Sequence, residues 1–262
     1  MSDLLKVNEI YLSLQGESTF AGLPCIFVRL TACNLRCSYC DTAYAFTEGK
    51  SMLLGDIRAE VLRLARPFRH STTSLTPTPH SAGWPSARTT PHFMVPLVEL
   101  TGGEPLLQPN AFPLMTALCD ESFTVLVETS GALDIAPADP RVRRIMDLKC
   151  PSSGEVARNR WENLPHLKPI DEIKFVIGTF EDYEWVKGKI AEHNLAALCP
   201  LLLSWVHPLT PDQQHKSLKT VPPGQTPITR QQLAEKIISD ALPVRFQVQL
   251  HKIIWAPETR GV

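Results

Sequence analysis

Three cysteines fall within eight residues, in the run Cys33-Asn34-Leu35-Arg36-Cys37-Ser38-Tyr39-Cys40. Thiolates are soft ligands suited to iron–sulfur clusters and zinc. A structural zinc site wants four ligands, usually from two paired half-motifs. The chain has no second C-x2-C, and cysteines 25, 119, 150 and 199 stand alone. Three thiolates suit a [4Fe–4S] core that leaves one iron open to a substrate or cofactor. On spacing alone, a zinc knuckle completed by a distant His or Cys is the alternative.

The elements that would hold this loop can be read from periodicity. Residues 26–30 form a short apolar run consistent with a buried strand directly before the cysteines. Val7 to Leu14, Leu97 to Thr101, Phe123 to Glu128, Ile145 to Lys149, Glu172 to Ile177, Leu201 to Trp205 and Phe246 to Leu250 also read as strands. Helical spacing links Ile57, Val61, Leu64 and Ala65, and again Leu114 and Leu118 after Pro109. Further helices start at Thr179, with Glu181 and Asp182 in the first turn, and at Thr229, with Gln232 three residues on as a capping box. Alternating strands and helices imply βα units and a largely parallel sheet, either open or part of a barrel. In both, reactive groups gather beyond the C-terminal strand ends. The polar and glycine-bearing motifs follow that rule. Thr101-Gly102-Gly103-Glu104-Pro105, Glu128-Thr129-Ser130-Gly131 and Asp147-Leu148-Lys149-Cys150 each close an expected strand. Taken singly, the first could be a tight turn and the others solvated strand ends.

The C-x3-C-x2-C run with an aromatic, Tyr39, before its third cysteine resembles the radical S-adenosylmethionine superfamily. The resemblance implies a [4Fe–4S] cluster on Cys33, Cys37 and Cys40, whose fourth iron chelates S-adenosylmethionine. It also implies contacts to that cofactor from Tyr39, Cys40, Asp41, Gly103, Glu104, Ser130, Asp147 and Lys149. The fold it implies is a partial TIM-like barrel of about six parallel strands with outer helices, in one domain over residues 1–262.

Motifs near both ends narrow the resemblance. Leu14-Gln15-Gly16-Glu17, Phe27-Val28-Arg29, Cys40-Asp41-Thr42 and Gln249-Leu250-His251-Lys252 together resemble the 7-carboxy-7-deazaguanine synthases. This implies ring contraction of 6-carboxy-5,6,7,8-tetrahydropterin with loss of ammonia, on the route to queuosine in tRNA. It also implies Mg2+ with Thr42 as a ligand, and a homodimer reduced by a flavodoxin or ferredoxin. Leu14, Gln15, Gly16, Glu17, Arg29, Thr101, Gln249 and His251 would meet the substrate. Arg29 offers a planar fork to a carboxylate, although its type also fits a surface ion pair, and His251 could be a structural histidine. A radical activase that acts on a glycine of a partner enzyme also uses the cysteine spacing, but would not be expected to carry the Leu14–Glu17 and Gln249–Lys252 motifs. In family members with a short C-terminus the last residue can touch substrate. Here the chain continues from Trp255 to Val262, so that contact does not transfer by matching.

Composition narrows the field. Net charge is −1, from 26 basic and 27 acidic side chains, so no extended basic surface for nucleic acid is expected. No apolar run reaches the roughly 20 residues that span a bilayer, and residues 1–6 lack a signal-type apolar core. A cytoplasmic enzyme is the expectation. Residues 67–96 hold six prolines, and half of residues 71–90 are Ser or Thr, which reads as an insertion without core periodicity. Residues 207–228, with five prolines, also read as loop.

Overall fold

The computed structural model describes residues 3–69 and 95–262. One nine-stranded sheet organises them, in the order β3-β1-β2-β4-β5-β6-β7-β8-β9. The strands are β1 (Leu4–Leu14), β2 (Pro24–Leu30), β3 (Lys50–Leu53), β4 (Leu97–Gly102), β5 (Val125–Thr129), β6 (Arg143–Asp147), β7 (Glu172–Ile177), β8 (Leu201–Trp205) and β9 (Arg245–Gln247). β1 runs antiparallel to both β2 and β3. From β2 through β4 to β9 every pairing is parallel. The expected partial barrel of about six parallel strands therefore has seven, with a two-strand antiparallel edge, and the sheet does not close.

Alternation along the strands separates two faces. The outward positions, among them Val28, Leu100, Val127, Phe175 and Leu203, are fully or almost fully buried against the helices. Those helices are α1 (Leu54–Arg69), α2 (Ala111–Asp120), α3 (Phe180–Glu192) and α4 (Arg230–Ser239). Each such side chain contributes about 1.5–3 kcal/mol by leaving water. Both expected capping signals form. Thr179 accepts from Asp182 N at the start of α3, and Thr229 from Gln232 N at the start of α4. On the inner face a smaller apolar plug of Phe20, Cys25, Phe27, Leu97, Leu126 and Ile145 fills one end. Above it the inward positions turn polar.

Three elements differ from the expectation. β3 was not expected. Strand 246–250 shrinks to Arg245–Gln247, and the following residues form the short helix α5 (His251–Ile254). β6 covers 143–147 instead of 145–149. The expected insertion at 67–96 falls, from 70 to 94, outside the described residues, and residues 67–69 belong to the last turn of α1.

Candidate active site

The loop after β2 carries the three cysteines, and the backbone sets its exit angle. Ala32 sits at φ 79°, a left-handed conformation that costs a residue with Cβ roughly 1–2 kcal/mol. Two backbone hydrogen bonds fix it there: Ala32 N donates to Ala45 O at 2.9 Å, and Glu104 N donates to Ala32 O at 2.8 Å. The second ties the cysteine loop to the turn after β4. That turn needs its glycines, because a Cβ on Gly103 would lie 2.1 Å from Ala32 O and 2.9 Å from Cys33 Cβ. Gly103→Ala should therefore push the cysteine loop out of register, costing about 1–3 kcal/mol. Iron uptake on anaerobic reconstitution should fall along with the melting temperature, which metal analysis and a thermal melt will show.

Cys33, Cys37 and Cys40 open onto one cavity of about 240 Å3. The sheet curls around it, since residues from β1, β2 and β4 to β7, the two residues after β8, and the chain beyond β9 all line its wall. None of the three thiols is in a disulfide. Burial pushes Cys37 up to about 12 and Cys40 up to about 11, so metal loading must release their protons. Lys149 counters this from close by, lowering both Cys33 and Cys37. Its ammonium pairs with Asp147 Oδ2 at 2.9 Å.

The donor set fits a cluster with its cofactor. Leu35 N donates to Cys33 Sγ at 3.4 Å, a contact that survives deprotonation of the thiol. Asp147 Oδ1 and the Tyr39 hydroxyl are buried without a hydrogen-bond partner, although both residues line the cavity. Such orphaned groups mark where a polar ligand completes the site. Cys25, Cys119, Cys150 and Cys199 do not line the cavity, so none of them completes a zinc knuckle there. Among the described residues, no three His, Cys, Asp or Glu side chains converge on a single ion.

All but one of the residues nominated from sequence line this cavity. Glu104 is the exception. It is fully buried and accepts from Leu106 N, Thr129 Oγ1, Ser130 N and Ser130 Oγ at 2.6–3.0 Å. Its carboxylate locks the turn after β4 to the end of β5. Arg29 is held by Glu9 at 2.7 Å and the Tyr11 hydroxyl at 2.6 Å, yet it still faces the cavity. The ion-pair and ligand readings of Arg29 thus fit different nitrogens, since among the described residues its hydrogen bonds run from Nε and Nη2. His251 packs over Gly16 so closely that a Cβ there would meet its Nδ1 at 2.3 Å. Leu250 N also donates to Gly16 O at 2.9 Å.

The chain beyond β9 forms a strap across the mouth. Lys252 pairs with Asp41 of the cysteine loop. Burial alone would raise that carboxyl, but Lys252 holds it at about 2. The Arg260 guanidinium stacks 3.8 Å over the Tyr44 ring and pairs with Glu48 at 2.9 Å. The segment Pro257–Val262, for which no role transferred by matching, returns to the cavity wall.

Sequence reasoning missed part of the inner wall: Glu99, Glu128 as a cavity group, and Lys174 all line it. The signal was present. A charged residue at every second position of an otherwise apolar strand marks an inner polar face, as in Leu97-Val98-Glu99-Leu100-Thr101 and Glu172-Ile173-Lys174-Phe175.

No family model matches the chain. It is 40% identical over 259 residues to the 7-carboxy-7-deazaguanine synthase of Koribacter versatilis, covering 98% of this chain and 100% of the relative. It is 39% identical over 261 residues to the 7-carboxy-7-deazaguanine synthase of Chlorobaculum tepidum, covering 98% and 97%. The crystal structure of QueE from Escherichia coli matches with a TM-score of 0.62 at 21% identity, covering 95% of each chain, and bears on the fold alone.

Proposed function

The chain belongs to the 7-carboxy-7-deazaguanine synthase family, and from that premise we propose that its cavity takes 6-carboxy-5,6,7,8-tetrahydropterin to 7-carboxy-7-deazaguanine and ammonia. The protein is a radical S-adenosylmethionine lyase of this family, and the glycyl-radical activase reading gives way to that membership. One observation carries the assignment of the site. The three thiols and the residues nominated for the pterin face the same cavity. When bound, the cluster and S-adenosylmethionine would supply the radical chemistry that the ring contraction requires.

The chain's own residues divide the work. Cys33, Cys37 and Cys40 hold the iron, and Lys149 offsets the negative charge their thiolates gather. Gly103 lets backbone approach the cofactor, while Ser130, Asp147 and Tyr39 offer hydrogen-bonding groups to it. Arg29 faces the substrate carboxylate. Gln15, Gly16, Glu17 and Thr101 meet the heterocycle, with Gln249 and His251 pressing from the strap.

Thr42 is the magnesium ligand in this reading, a hydroxyl oxygen that suits a hard ion otherwise held by water and substrate oxygens. Its Oγ1 lies 3.7 Å from Cys40 Sγ, so in this reading the ion would bind beside the cysteine loop. Thr42→Ala should keep its iron and need about tenfold more magnesium for half-maximal turnover. A magnesium titration equal to wild type would remove Thr42 from the ligand set. The family resemblance further supports a cytoplasmic homodimer reduced by a flavodoxin or ferredoxin. Among the described residues no helix is long and apolar enough to cross a membrane.

The reading is tested by anaerobic conversion of the pterin, which should require both S-adenosylmethionine and a reductant. Turnover without either overturns it.

A further inference from the structure

Lys174 has no part in the reading above, yet its position is unusual. It projects inward from β7, is only 4% exposed, and lines the cavity. Its Nζ donates to Glu128 Oε1 at 2.5 Å and to Glu17 Oε2 at 3.0 Å. The outer oxygen of each carboxylate is also engaged. Ser204 Oγ donates to Glu17 Oε1 at 2.7 Å, and Thr101 Oγ1 to Glu128 Oε2 at 3.2 Å. A continuous polar line therefore crosses the floor of the cavity from β8 to β4, with one ammonium at its centre.

We propose that Lys174 is the positioning residue that bridges Glu17 and Glu128 and holds both side chains in place, so that the wall presents two carboxylate acceptors to the donor-rich amino-pyrimidinone edge of the substrate. This rests on the functional reading above and adds to it the group that arranges that edge's contacts. Two carboxylates within reach of one nitrogen cannot both stay charged once the cation is removed; they share a proton, and one becomes a donor. A donor there faces the N–H groups of the ligand and repels them.

Another cation, Lys149, also feels Glu128 but is paired with Asp147 at 2.9 Å. Glu99, on the neighbouring strand, is pushed well above the usual carboxylate range, first by burial and then by Glu128. It accepts from Gln15 Nε2 and adds no positive charge. Asp147 also acts on Lys174 but adds no positive charge. His251, facing Glu17 from the strap, is held below the usual imidazole range by burial. Arg29 acts on Glu99 and is already engaged by Glu9 and Tyr11. Glu17 itself is lowered despite its burial, with Lys174 its largest stabilising neighbour.

The test reads binding and not turnover. Iron-loaded protein with S-adenosylmethionine and no reductant is titrated with 6-carboxypterin, followed by its fluorescence, from pH 6 to 8.5. Lys174→Met should weaken binding on the order of tenfold to a hundredfold at pH 7. The loss should shrink as pH rises and the shared proton leaves, while wild type stays nearly flat. Lys174→Arg, which restores a cation able to span both carboxylates, should bind within a few-fold of wild type. Equal affinity of Lys174→Met and wild type at every pH overturns the inference, as does a Lys174→Arg protein that binds as weakly as Lys174→Met. A wild type that does not bind the pterin overturns the functional reading together with this one.

Discussion

Cys37→Ala is expected to lose its iron and its activity together. The thiol is the middle ligand of the loop, buried and beside Lys149. With only two thiolates left, the loop no longer holds a four-iron core, so iron should fall from about four per chain to a small fraction of that. Turnover should drop below detection, because no other cysteine lines the cavity to replace the lost thiolate. Cys199→Ala is the matched control. That cysteine is also buried but does not line the cavity, so its variant should keep iron. Equal iron in Cys37→Ala and wild type would break the ligand assignment.

Glu104→Ala carries the second large effect, and it acts through structure. The carboxylate accepts from Leu106 N, Thr129 Oγ1, Ser130 N and Ser130 Oγ with no exposure to water. Its removal leaves several buried donors unpaired, each of which costs about 1–3 kcal/mol in isolation. Because the neighbours relax together, the whole loss should be about 3–5 kcal/mol. The released segments are the turn that touches Ala32 and the strand end that carries Ser130. Cofactor binding should weaken even where the variant folds. Chemical denaturation gives the first quantity, and titration with S-adenosylmethionine the second. A variant as stable as wild type would show that the carboxylate is dispensable to the turn.

The cysteine loop, the glycine pair and the two capped helices were legible because each depends on a few residues close in sequence. The Thr179 and Thr229 caps need only a hydroxyl and a partner three residues on. The strand cores were legible from their apolar outward positions. What escaped has a common cause. β3 is four residues of largely exposed edge, and α5 is a single turn, so neither is long enough to show a period. The role of Glu104 depends on Thr129 and Ser130, which a different strand brings to it. The ammonium of Lys174 and the carboxylates of Glu17 and Glu128 meet only after the sheet curls. Their spacing along the chain carries no trace of that encounter.

The account stands most directly on catalytic use of S-adenosylmethionine by the iron-loaded chain. Reduced protein held free of oxygen is given excess carboxytetrahydropterin and less than one equivalent of S-adenosylmethionine, and product and ammonia are counted. Several molecules of 7-carboxy-7-deazaguanine, each with one ammonia, should form per molecule of S-adenosylmethionine supplied. A protein that cleaves the cofactor and leaves the pterin unchanged would contradict the account.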